Sequence, residues 1–96
     1  MRILLLSLVT FLVSCAGTKN NEEISLRDKF DKAMDNLKSK KYLQAQSDFK
    51  NVLIRGTGTD LGDDAQYYLG ESYYRNKEYL LAIAEYEKLT RKMGYS

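Results

Sequence analysis

Thirty-seven residues after Lys40-Lys41-Tyr42-Leu43-Gln44-Ala45, the chain reads Lys77-Glu78-Tyr79-Leu80-Leu81-Ala82. The same offset of 37 pairs Phe30 with Tyr67, Ala33 with Gly70, Leu37 with Tyr74, Lys38 with Arg75 and Phe49 with Tyr86. One period serving so many positions marks repeated supersecondary units, each too small to bury its apolar face alone. Within a unit the spacing is helical. Ala65, Tyr68, Leu69, Ser72 and Tyr73 fall at i, i+3, i+4, i+7 and i+8, one stripe of a helix. Asp63 and Asp64 stand where negative charge favours a helix N-terminus. Asn76-Lys77 supplies a turn, with Asn76 as the residue that tolerates the left-handed conformation. A second helix follows, carrying Tyr79, Ala82, Ile83, Tyr86 and Leu89 on one side. The first unit repeats this plan, with Leu26 to Lys38, a turn at Ser39-Lys40, and Tyr42 to Ile54. The sequence contains no proline to interrupt these helices. The expected class is all-α, built of antiparallel helical hairpins joined by a loop from Arg55 to Gly62.

Leu69-Gly70, Tyr73, Tyr79, Ala82 and Tyr86 stand at the spacing of a tetratricopeptide repeat, which residues 63 to 94 resemble. The units then run from about 26 to 57 and from about 63 to 94. The resemblance implies that Gly70 and Ala82 meet where two helices approach closely. It also implies that Tyr68, Tyr73, Tyr79 and Tyr86 mostly pack between helices. Gln66 departs from the motif, standing where a large aromatic is preferred. Leu89 and Gly94 depart as well, and in the first unit Lys32 replaces the usual leucine. Such arrays offer a concave groove to peptides. Here its lining falls on Arg27, Phe30, Met34, Leu37 and Lys38 of the first unit and on Asp64, Tyr67, Glu71, Tyr74 and Arg75 of the second. That is an apolar stripe rimmed by both charges, suited to a peptide with aromatic side chains. A further repeat covering the same stripe accounts for it equally well. The array itself reads as truncated and weakly stable alone, because Tyr79, Ile83, Tyr86 and Met93 lack a following helix.

Ahead of the repeats lies Met1-Arg2 and an apolar run from Ile3 to Val13, broken only by Ser7 and Thr10 and ending at Cys15. The run is shorter than the roughly 20 residues that span a bilayer, and with Arg2 it fits a secretory leader. Cys15 is the single cysteine and the chain has no histidine, which excludes an internal disulfide, a zinc site and a Cys/His pair. Leu12-Val13-Ser14-Cys15-Ala16-Gly17 resembles a bacterial lipobox. The resemblance implies cleavage between Ser14 and Cys15 and acylation of Cys15, with residues 1–14 as signal peptide. Several acyl chains on one residue give stable anchoring where one chain is marginal. Residues 15–24 then form a short polar tether, in which Gly17 to Glu23 offers nothing apolar to bury.

The formal balance is only +2, and no basic stripe interleaved with aromatics appears, so no nucleic-acid partner is expected. Gly56-Thr57-Gly58-Thr59-Asp60-Leu61-Gly62 lacks the ending of a phosphate-binding loop and reads as a connector. The pairs Glu85/Glu87 and Asp63/Asp64 are too close in sequence to converge on one bond and read as a solvated face. No catalytic constellation and no cofactor or metal site is singled out, so a non-enzyme is expected. Lipobox, tether and immediate repeats together resemble the BamD family of outer-membrane assembly lipoproteins. The carrying stretch is Gly62-Asp63-Asp64-Ala65-Gln66-Tyr67-Tyr68-Leu69-Gly70-Glu71-Ser72-Tyr73-Tyr74, followed by Glu78 to Tyr86. The resemblance implies an outer-membrane location facing the periplasm. It further implies docking on a BamA-like barrel assembly protein with other Bam lipoproteins, and binding of unfolded outer-membrane protein segments. The alternative is a periplasm-facing repeat scaffold of division or envelope machinery, of the Tol-Pal-associated type.

Overall fold

The computed structural model describes residues 25–92. Expectations for Ser14, Cys15, the leader, the tether and Met93 lie outside the described residues. Four helices follow one another: α1 (Leu26–Lys38), α2 (Tyr42–Arg55), α3 (Asp60–Arg75) and α4 (Tyr79–Lys92). Connections of only three or four residues make neighbours antiparallel, and each helix packs on the next, with α1 also reaching α3. The chain is all-α, a pair of helical hairpins. No described helix is long and apolar enough to cross a membrane.

Caps and turns set the boundaries. Ser25 Oγ accepts from the Asp28 N–H at 3.1 Å, and Thr59 Oγ1 accepts from the Gly62 N–H at 3.1 Å, so each hairpin opens on a hydroxyl cap. Thr59 also donates to the Gly56 carbonyl at 2.6 Å. This starts α3 at Asp60, three residues earlier than the repeat spacing indicates, and Gly62 lies inside the helix rather than in the loop. A Cβ at Gly62 would collide with the Gly56 carbonyl, so the tight α2–α3 corner needs a glycine there. The left-handed residues of the two hairpin turns are Lys40 (φ 63°) and Lys77 (φ 65°), so in the second turn the position is not Asn76. The turns are the same structure 37 residues apart. Lys41 N–H donates to the Asn36 carbonyl at 2.8 Å, and Glu78 N–H donates to the Tyr73 carbonyl at 2.9 Å. The left-handed position falls two residues past each helix end, just beyond the cap, where wrapping the last carbonyls outweighs the preference of the side chain.

The core runs through Phe30, Ala33, Leu37, Ala45, Phe49, Val52, Ala65, Leu69, Tyr73 and Ala82. Burying Phe49 or Leu69 contributes roughly 1.5–3 kcal/mol each. That exceeds the roughly 0–1 kcal/mol available from exposed pairs such as Arg27–Asp31 (3.3 Å), so packing holds the hairpins together. At Gly70 the nearest neighbour is Tyr86. The missing Cβ makes room for the Tyr86 ring, whose Cε1 lies 2.5 Å from where that Cβ would stand. Tyr68 and Tyr73 pack as the repeat pattern implies, whereas Tyr79 is half exposed and leans its ring edge on Tyr74 at 5.3 Å.

Two outcomes follow from these contacts. Gly70→Leu should lower unfolding stability by about 1–3 kcal/mol through overpacking against Tyr86, read from denaturant melts. Lys77→Gly should raise it by about 1 kcal/mol by relieving the left-handed backbone, and Lys40→Gly should do the same.

Candidate functional site

Two surfaces share the groove residues anticipated from the repeats. Arg27, Phe30, Met34 and Lys38 of α1 line a groove of about 510 Å³ together with Asp31 and Asp35, facing Asp64 and Tyr68 of α3. These positions meet because Arg27, Asp31, Met34, Asp35 and Lys38 recur at helical spacing along one side of α1, and α3 lies alongside it. The floor is narrow: Phe30 is mostly buried, leaving Met34 and Tyr68 partly exposed. The charge is segregated. Arg27 and Lys38 hold the two ends of α1, with Asp31 and Asp35 between them and Asp64 opposite. Arg27 pairs with Asp31 at 3.3 Å and lies over the Phe30 ring at 5.4 Å. Leu37 is no part of the lining, because it is fully packed in the core.

Three of the other four, Tyr67, Glu71 and Tyr74, turn toward α4. Tyr67 sets its ring 6.0 Å from that of Tyr86, and Tyr74 packs on Tyr79. Glu71 accepts a hydrogen bond from the Tyr86 hydroxyl and pairs with Arg75 at 3.6 Å. An edge contact between Tyr67 and Tyr68, 5.0 Å between centroids, joins the two surfaces. Burial first, and then the Glu71 carboxylate, push the Tyr86 phenol well above its usual pKa.

Sequence spacing missed the buried polar contacts. Glu85 does not belong to a solvated face; it is buried, and its Oε1 accepts from Gln66 Nε2 at 2.8 Å while Oε2 meets Lys88 Nζ at 3.1 Å. The Gln66 that breaks the repeat motif is thus the donor for a carboxylate on the facing helix. Gln46, also buried, donates to Glu78 Oε2 at 2.8 Å, and Asn76 donates to the same oxygen at 3.1 Å, fastening α2 to the α3–α4 turn. The available signal was a glutamine on an apolar stripe, which needs a partner once buried. Asp63 behaves differently again, pairing with Lys92 at the far end of α4 at 3.1 Å.

No protein-family model matches the chain, and no curated protein matches it either.

The raised Tyr86 pKa gives a signed expectation. Stability from the neutral phenol is fully present below the unfolded tyrosine pKa near 10 and falls as pH rises beyond it toward the higher folded value. The stability difference between the native chain and Tyr86→Phe should therefore shrink above about pH 10. Urea midpoints of both proteins across that range check this.

Proposed function

We propose that the chain is a lipid-anchored adaptor of outer-membrane β-barrel assembly, holding partner and substrate peptides in the groove between α1 and α3. The observation that carries the reading is the order of parts. A lipobox-like Leu12-Val13-Ser14-Cys15-Ala16-Gly17 is followed within a short polar stretch by the Ser25 cap and the first hairpin. A groove with cations at both ends and carboxylates along its middle suits a peptide that carries its charges in the complementary order. Phe30, Met34 and Tyr68 offer it an apolar floor. Anchoring at Cys15 keeps that groove within a few tens of ångströms of the membrane, since ten tether residues reach at most about 35 Å. BamA-like and other Bam-type proteins are the expected neighbours, and unfolded outer-membrane protein segments the expected cargo. No catalytic role is assigned to any residue.

Two measurements test this reading. Intact-mass analysis should find a chain that begins at an acylated Cys15; retention of residues 1–14, or a free Cys15 thiol, overturns the anchor. Photo-crosslinking from position 38 in cells should give adducts with outer-membrane β-barrel precursors. Adducts confined to division or Tol-Pal proteins overturn the assembly role and favour an envelope scaffold.

A further inference from the structure

The two hairpin turns lie side by side at one end of the stack, since Gln46 near the start of α2 donates to Glu78 of the second turn at 2.8 Å. At equivalent positions there, 37 residues apart, each unit exposes a leucine: Leu43 at 66% and Leu80 at 83%. Each is the second residue of its helix. The Cα–Cβ bonds of a helix tilt toward its N-terminus, so both side chains lean toward the turns. The first unit shows which openings a following hairpin closes. Gln46 is buried and its equivalent Ile83 is exposed, so that opening closes once a hairpin follows. Leu43 stays exposed with α3 and α4 in place, and so does Gln44, the equivalent of Leu81. The exposure of Leu43, Leu80 and Leu81 thus belongs to the plan of the repeat.

Cations accompany these leucines. Lys40, Lys41 and Lys77 are exposed in the turns themselves. Lys40 and Lys77 hold left-handed backbone, which strains any side chain and which glycine adopts freely. A lysine repeated at such a place points to a use for its charge beyond the fold. The one carboxylate of the two turns, Glu78, is held by Gln46 and Asn76, so the charge left facing outward is positive. We infer that this end of the stack rests on an anionic phospholipid surface. The leucines enter the headgroup region and the lysines meet lipid phosphates, a contact in which apolar area and basic charge act together. Two equivalent tips side by side suit an extended surface rather than a single pocket. The inference is independent of the acyl anchor, since it rests on residues 40–81 alone.

The sequence contains no tryptophan, so one introduced at position 43 or 80 reports its own surroundings. The full chain is placed on vesicles of phosphatidylcholine alone, or of an equal mixture with phosphatidylglycerol. A leader or acyl anchor brings it to both alike, so the comparison isolates the turns. Leu43→Trp and Leu80→Trp should each shift emission to shorter wavelength on the anionic vesicles only, and salt should reverse the shift. Ile54→Trp, at an apolar position 73% exposed near the far end of α2, should show no shift. Adding Lys40→Gly and Lys77→Gly should weaken the contact about fivefold per lysine, read from the share of emission that shifts, although the same glycines should raise stability. An equal shift on both kinds of vesicle overturns the inference. So does a matching shift of Ile54→Trp, or a signal indifferent to the two glycines. Absence of any shift on the anionic vesicles overturns it too, and leaves the tips to an acidic protein surface.

Discussion

Tyr68 lies edge-on to Phe30 and stacked on Phe49, so one side chain of α3 touches both helices of the first hairpin. Without that contact, α1 and α2 are a two-helix unit whose aromatic residues face water, too small to hold a core of its own. With it, the rings close over Ala33, Ala45 and Ala65, which are fully buried. The small residues permit the helices to approach, and the rings fill the space left at the corner. Neither half works alone: alanines without the rings leave a void, and rings without the alanines force the helices apart.

Polar groups then fix which helix faces which. Glu78, Gln46 and Asn76 meet at a single carboxylate where α2 passes the second turn, and Glu85 meets Gln66 within the second hairpin. Among the described residues, no buried side-chain polar atom lacks a partner. A slip of α3 along α2 breaks the Gln46–Glu78 bond and leaves the buried Gln46 amide without its partner, and a slip of α4 along α3 parts buried Glu85 from Gln66, costs that apolar packing alone does not impose. The aromatic cluster thus supplies affinity between the hairpins, and the glutamines supply register.

The helices and their pairing were legible because the 37-residue offset and the i, i+3, i+4 stripes are direct consequences of helix geometry. What spacing did not reveal has a common cause. Glu85 and Gln66 lie on different helices, and a carboxylate on an otherwise polar stretch looks solvated until its buried donor is known. Lys77 occupies left-handed backbone that propensity assigns to its neighbour Asn76, and Lys40 takes the equivalent position, because the hydrogen-bond geometry of the helix end decides it. The groove divided for a similar reason. Phe30, Leu37, Tyr67 and Tyr74 share a register, yet the first two are buried, whereas the second two meet only one ring each of α4 and stay about half exposed. Periodicity reports which positions are equivalent; it does not report which neighbours are present.

The position of α4 at one end of the stack has a dynamic consequence. Among the described residues it packs only on α3, whereas every other helix touches at least two. In a linear array, each element is held by its neighbours alone, so α4 is the segment whose amides exchange first with solvent under native conditions. Its opening frees the Tyr86 ring from the hollow at Gly70 and separates Glu85 from Gln66, so fraying at this end dismantles an aromatic contact and a buried hydrogen bond in a single event. The amides along α4 should then share one opening free energy rather than fray residue by residue.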